Sequence, residues 1–207
     1  ATGNKLSTVG PVGFNVTGIA FNPSSSILYG TTGNQDVTGG HSSSLIQINT
    51  STGAGTWLGV IKDAGNHSMN FPDISFRSDG VLYGFGKFDN NLYTIDITSC
   101  NGSSDTNCLA TKVGNSGLAS FGNALAFDSA NNLYFFPNGD DNYYQINPNT
   151  SNSIVHPDLS NSSGSSYALG AAAFDGDDVL YAARLNFGSS PSDLITIDIP
   201  TNAITSL

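Results

Sequence analysis

Apolar and polar positions alternate along this chain in short bursts separated by clusters of Gly, Ser, Asn, Asp and Pro, and no segment sustains the apolar period of a helix. The bursts repeat one phrase: a small-apolar stretch ending in Phe, then Leu-Tyr, then an apolar run closing on Ile-Asn or Ile-Asp. Gly18-Ile19-Ala20-Phe21 leads to Leu28-Tyr29-Gly30 and Leu45-Ile46-Gln47-Ile48-Asn49. Asp73-Ile74-Ser75-Phe76 leads to Leu82-Tyr83-Gly84 and Leu92-Tyr93-Thr94-Ile95-Asp96. Ala124-Leu125-Ala126-Phe127 precedes Leu133-Tyr134-Phe135 and Tyr143-Tyr144-Gln145-Ile146-Asn147, and Ala171-Ala172-Ala173-Phe174 precedes Leu180-Tyr181-Ala182 and Leu194-Ile195-Thr196-Ile197-Asp198.

In the first copy the period predicts an inner strand over 19–21, a turn at Asn22-Pro23-Ser24-Ser25, a second strand over 27–31, a third over 45–49, and an outermost strand over 55–61. The turns at 77–80, 128–132 and 175–178 occupy the same place in the later copies. The anchoring Phe residues recur every 47 to 55 residues, near the period of four-stranded propeller blades. The expected fold is therefore all-β: one domain, a four-bladed β-propeller of four-stranded antiparallel blades. The blades fall at 14–62, 63–114, 115–160 and 161–207, preceded by a surplus or closing strand within 1–13.

Phrases such as Ala126-Phe127-Asp128-Ser129-Ala130-Asn131-Asn132-Leu133-Tyr134-Phe135-Phe136 and Leu92-Tyr93-Thr94-Ile95-Asp96-Ile97-Thr98-Ser99 resemble the loosely related β-propeller repeats of secreted bacterial proteins. The resemblance covers nearly the whole chain. It implies the fold but no single activity, because such propellers serve as enzymes, lectins, adhesins and scaffolds.

The strand count exceeds the need. Asn4, Lys5, Leu6, Ser7, Thr8, Val9 and Gly10 resemble an outermost strand, yet residues 203–207 already offer one to the last blade. Two readings stay open: the surplus strand adds to an acceptor edge formed by Ile195, Ile197, Ile204 and Leu207 of another copy, or it belongs to a blade of a longer protein.

Composition narrows the partners. A formal charge of −10 with six Lys and Arg disfavours nucleic acid and anionic membranes, and no run is long enough to span a bilayer. The start without Met fits removal of an upstream segment, on export or equally by proteolysis. Cys100 and Cys108 flank a polar loop, so a disulfide stapling one hairpin is expected, and with it a secreted, extracellular location. Six sequons, at Asn15, Asn49, Asn66, Asn101, Asn149 and Asn161, are candidate glycosylation sites, with Asn66, Asn101 and Asn161 the most accessible.

Candidate chemistry is sparse. No nucleophile elbow, zinc-binding His pair or phosphate loop occurs, and His41, His67 and His156 lie in different repeats. His41 reads as a solvated loop residue. Asp73 is the one acidic residue at an innermost-strand position, too few for a divalent metal, and it is the candidate for a channel-site hydrolase or lyase. Trp57, Tyr143 and Tyr144 are candidates for stacking on sugars. No cofactor or metal is expected beyond a surface Ca²⁺ at 139–142 or 175–178, both better explained as turns. The expectation is a non-catalytic adhesive or self-assembling protein whose partners are its own copies or extracellular glycans; the alternatives are a lectin-like propeller and the Asp73 enzyme.

Overall fold

A computed structural model describes residues 5–34, 40–119, 122–138, 142–156, 168–185 and 193–207. The first repeat folds as β1 (Val16–Asn22), β2 (Ile27–Thr32), β3 (Ser44–Ile48) and β4 (Gly55–Lys62). The second supplies β5 (Ile74–Phe76), β6 (Leu82–Phe85), β7 (Asn91–Asp96) and β8 (Asn107–Asn115). The third gives β9 (Asn123–Phe127), β10 (Leu133–Pro137), β11 (Tyr143–Ile146) and β12 (Ser153–His156), and the fourth β13 (Ala168–Phe174), β14 (Leu180–Leu185), β15 (Asp193–Asp198) and β16 (Ala203–Ser206). Each is an antiparallel meander whose repeated Phe and Leu-Tyr face one another: Phe21 pairs with Leu28, Phe76 with Leu82, Phe127 with Leu133 and Phe174 with Leu180.

The turns follow local chemistry. Asn22 Oδ1 accepts the Ser24 N–H at 2.9 Å, and Asp128 Oδ1 accepts the Asn132 N–H at 2.8 Å, so each side chain holds the hairpin it opens. Gly80 sits at φ 85°, the left-handed conformation that closes the Arg77 turn and suits glycine.

The four meanders form three sheets, because the outer strands of the first two join. β4 and β8 run parallel, with Val60 opposite Asn107 and Lys62 opposite Leu109, making one sheet of eight strands. Cys100 and Cys108 form the expected disulfide at this junction. It packs so closely under β4 that a Cβ on Gly59 would lie 2.9 Å from Cys100 Cβ, and the Gly102 N–H donates to the Leu58 carbonyl at 2.7 Å.

Apolar cores fill three successive seams between meanders. Tyr29, Leu45, Ile61, Phe71, Ile74 and Phe76 fill the first, and Tyr83, Phe85, Leu92, Leu125, Phe127 and Phe135 the second. Tyr134, Tyr143, Leu169, Leu180, Ile195 and Ile197 fill the third. At each, the Tyr of one meander meets the Phe of the next: Tyr29 and Phe76 at 5.5 Å, Tyr83 and Phe127 at 5.2 Å, Tyr134 and Phe174 at 5.4 Å between ring centres. The pair that would join the fourth meander to the first, Tyr181 with Phe21, does not form among the described residues. Phe21 is 57% exposed where Phe76 and Phe127 are 7% and 9% exposed, and Ile19, Ala171 and Ala173 on the flanking inner strands are also exposed.

The surplus amino-terminal strand is not a strand. Asn4 lies outside the described residues, and Lys5 to Gly10 carry no strand pairing. The reason is that the outer edge of β4 is already occupied. Val12 accepts the Gly55 N–H at 2.9 Å at one end, and β8 pairs at the other, leaving residues 5–9 no room on the β4 edge.

Candidate functional site

The inner strands β1, β5, β9 and β13 converge on one carboxylate. Asp73, 2% exposed, precedes β5 and turns its side chain inward. Its Oδ1 accepts the Ile74 N–H at 2.9 Å and its Oδ2 the Leu125 N–H of β9 at 3.0 Å, and the Ala172 amide of β13 also reaches it. β1 presents Gly18 at the same level, where a Cβ would lie 2.7 Å from Asp73 Cα. Burial pushes the Asp73 carboxyl well above the ordinary carboxylate range, and the three backbone N–H groups pull against that rise. Ser75 repeats the tie one step along, its Oγ accepting the Phe127 N–H at 3.1 Å. The sequence singled out Asp73 as a channel carboxylate; it is a plug that ties strands, with both oxygens occupied by backbone donors.

This plug separates two axial hollows of opposite character. One, of about 370 Å³, is rimmed by side-chain amides from Asn15, Asn34, Asn70, Asn123 and Asn138, with Thr17 and Lys87 beside them. The other, of about 310 Å³, is apolar and lined by the four repeated Phe residues with Ile19, Ile74 and Ala126. A third hollow lies off the axis, between the second and third meanders, lined by Arg77, Asn131, Asn132 and Gln145.

The remaining sequence candidates scatter. Ile195 and Ile197 do not form an acceptor edge: they lie on β15, between β14 and β16, and are 0% and 1% exposed. Ile204 is on β16, which pairs only with β15 among the described strands, and the Leu207 N–H donates inward to Leu194. Tyr143 is fully buried, stacked on Phe136 and His156, so it offers no face to a sugar. His41 is not a solvated loop residue; its ring packs between Phe14 and Trp57, at 5.7 and 5.0 Å, which also covers one face of Trp57. Tyr144 is half-buried. Asn15, Asn49, Asn66, Asn101 and Asn149 are exposed, and Asn161 lies outside the described residues.

Residues 139–141 of one acidic turn also lie outside them. In the other turn, Asp175 Oδ1 accepts the Asp177 and Val179 N–H groups, while Asp178 accepts the Ser129 N–H and hydroxyl. No cluster of three or more metal-ligating side chains occurs among the described residues, nor does any helix long and apolar enough to cross a membrane. Tyr93 donates to Asp89 Oδ2 at 2.6 Å, and burial with this bond holds its hydroxyl proton up to a pKa of about 12. The amide rim, the open seam and the Asp73 knot left no linear signature, because each is assembled from several repeats.

No family model matches the chain, and no curated protein matches it. Solved structures do. The Dos1 propeller is 14% identical with a TM-score of 0.52, the match covering 92% of this chain and 49% of that one. The fold is that of a β-propeller. A GH43 glycoside hydrolase with endo-xylanase and exo-arabinofuranosidase activity is similar to this propeller at 10% identity and a TM-score of 0.61, covering 95% of this chain and 42% of its own. The aldose sugar dehydrogenase of Streptomyces coelicolor, in its PQQ-bound form, is 18% identical with a TM-score of 0.53, covering 94% and 63%. The propeller described here thus spans 42% to 63% of the length of these structures. At such identities the likeness carries the fold alone. It nevertheless overturns the expectation of a non-enzyme, since two of these three propellers are enzymes and the missing sequence motifs do not separate this chain from them.

Proposed function

We propose that this propeller is an extracellular self-assembling protein of structural or adhesive role, its copies joined head to tail by strand addition. The observation that carries the reading is a mismatch of partners within one molecule. Residues 5–9 hold Leu6 97% and Val9 56% exposed with no strand to pair, while β16 ends the fourth meander with its outer edge unpaired among the described strands. An extended segment laid along such an edge satisfies the backbone groups of both and covers its own apolar side chains. On the same reading the four meanders are blades of an open arc, and the unfilled seam beside Phe21 is a second surface that assembly covers.

The disulfide suits a location outside the cell. The test is deletion of residues 1–9, which leaves every described strand intact. Full-length protein forms polymers by light scattering and electron microscopy, and the shortened chain stays monomeric. Polymers that persist unchanged in the shortened chain overturn the mechanism.

A further inference from the structure

We infer that the amide-rimmed axial hollow is a binding site for a polyhydroxylated small molecule of monosaccharide size. Its volume, about 370 Å³, falls at the lower end of the roughly 300 to 1,000 Å³ of small-molecule sites. It is built where the four inner strands begin, with Asn15, Asn70 and Leu169 on or beside β1, β5 and β13.

The donor set selects the ligand class. Each Asn amide offers two N–H donors and a carbonyl acceptor on one plane, and a ring hydroxyl both donates and accepts, so adjacent hydroxyls match adjacent amides. Asn15, Asn34, Asn70 and Asn138 provide these groups from the first three meanders, and the Thr17 hydroxyl adds one more. Pro72 and Leu169 give the wall an apolar surface suited to the C–H face of a sugar ring. The described lining holds no carboxylate, which disfavours a cation. Its single ammonium, on Lys87, lies 4.9 Å from the centre of the Phe88 ring.

What separates this hollow from the larger one between the second and third meanders is how its polar groups are used. In that outer hollow most of them are committed to the fold. Arg77 grips Asp79 and donates to the Tyr83 hydroxyl at 2.8 Å, Asn131 accepts the Ser78 N–H at 2.9 Å, and Asn132 is held by Asp128 and Gln145. At the axis, Asn70 reaches the Thr32 carbonyl only at 3.5 Å. The side-chain amides of Asn15, Asn34 and Asn138 make no hydrogen bond among the described residues. These three amides neither cap a turn nor tie a strand among the described residues, which leaves them to a ligand.

The inference is independent of assembly, and its test uses the full chain in either state. Saturation-transfer NMR is run with D-glucose, D-galactose, D-mannose, N-acetyl-D-glucosamine and myo-inositol, each at about 10 mM, a concentration that detects millimolar affinity. Transfer to at least one of the five is expected, and Asn34→Leu and Asn138→Leu, made singly, each weaken its binding about tenfold with an unchanged unfolding midpoint. No transfer to any of the five overturns the inference. So does transfer that both variants leave intact, which places the binding elsewhere.

Discussion

Phe21 and Phe76 occupy equivalent positions in two repeats, and the open seam predicts that truncating them has very different consequences. Phe76 is 7% exposed, its ring 5.5 Å from that of Tyr29 in the first inter-meander core. Phe76→Ala removes its transfer energy and leaves a cavity, a combined cost of about 3 to 5 kcal/mol. Phe21 is 57% exposed. Less than half of a side chain whose full burial is worth about 1.5 to 3 kcal/mol is removed, and water fills the space, so Phe21→Ala costs about 1 kcal/mol. Both residues sit in inner strands, so the change in strand propensity largely cancels between them. With urea m-values of about 1 to 3 kcal/mol/M, the two midpoints differ by roughly 1 M or more. The assay is urea unfolding followed by fluorescence, at dilutions where light scattering reports monomers, with Phe127→Ala as a second buried control. Equal losses for Phe21→Ala and Phe76→Ala in the monomer refute the open seam.

Gly18→Ala should destabilise by about 1 to 3 kcal/mol, because its Cβ meets the backbone of Asp73 at 2.7 Å and an inner strand must shift; an unchanged melting temperature contradicts the tight knot. Asp73 sets a pH dependence. Its folded pKa is raised above the unfolded value, so its contribution is full below about pH 4 and is lost as pH rises through the folded pKa. Asp73→Asn loses one acceptor oxygen at every pH, yet its stability relative to the parent should improve from pH 4 to pH 8 in paired urea titrations, and a flat difference counts against the buried carboxyl. Replacing Cys100 and Cys108 together with Ser should cost about 2 to 3 kcal/mol and lower the melting temperature by about 4 to 12 °C in calorimetry. No change there would mean that the loop is held by its contacts with β4 alone.

Much of the fold was legible because the repeat carries it. Phe21 opposite Leu28, the Asn22 turn, the outermost strand ending near Lys62 and the Cys100–Cys108 link all follow from local pattern. Long-range partnership was not legible. Residues 5–10 have the alternation of a strand, but strand pairing needs a free edge, and β8 and Val12 had taken it. Ile195 and Ile197 look like the tail of an edge strand, yet β16 lies outside them. Tyr143 and Trp57 read as sugar platforms, yet the Tyr143 ring is stacked on Phe136 and His156, and His41 covers one face of Trp57. The hollow at the axis draws two to four residues from each repeat, a spacing too wide for any linear motif.

Strand addition at β16 is tested most directly by amide hydrogen exchange in assembled protein. The Leu207 N–H points inward to Leu194, so by alternation the N–H groups of Ile204 and Ser206 point out along the free edge. In polymers of the full chain these two amides exchange slowly, and they exchange freely in the chain lacking residues 1–9. Fast exchange at Ile204 and Ser206 in fully assembled polymers contradicts the account.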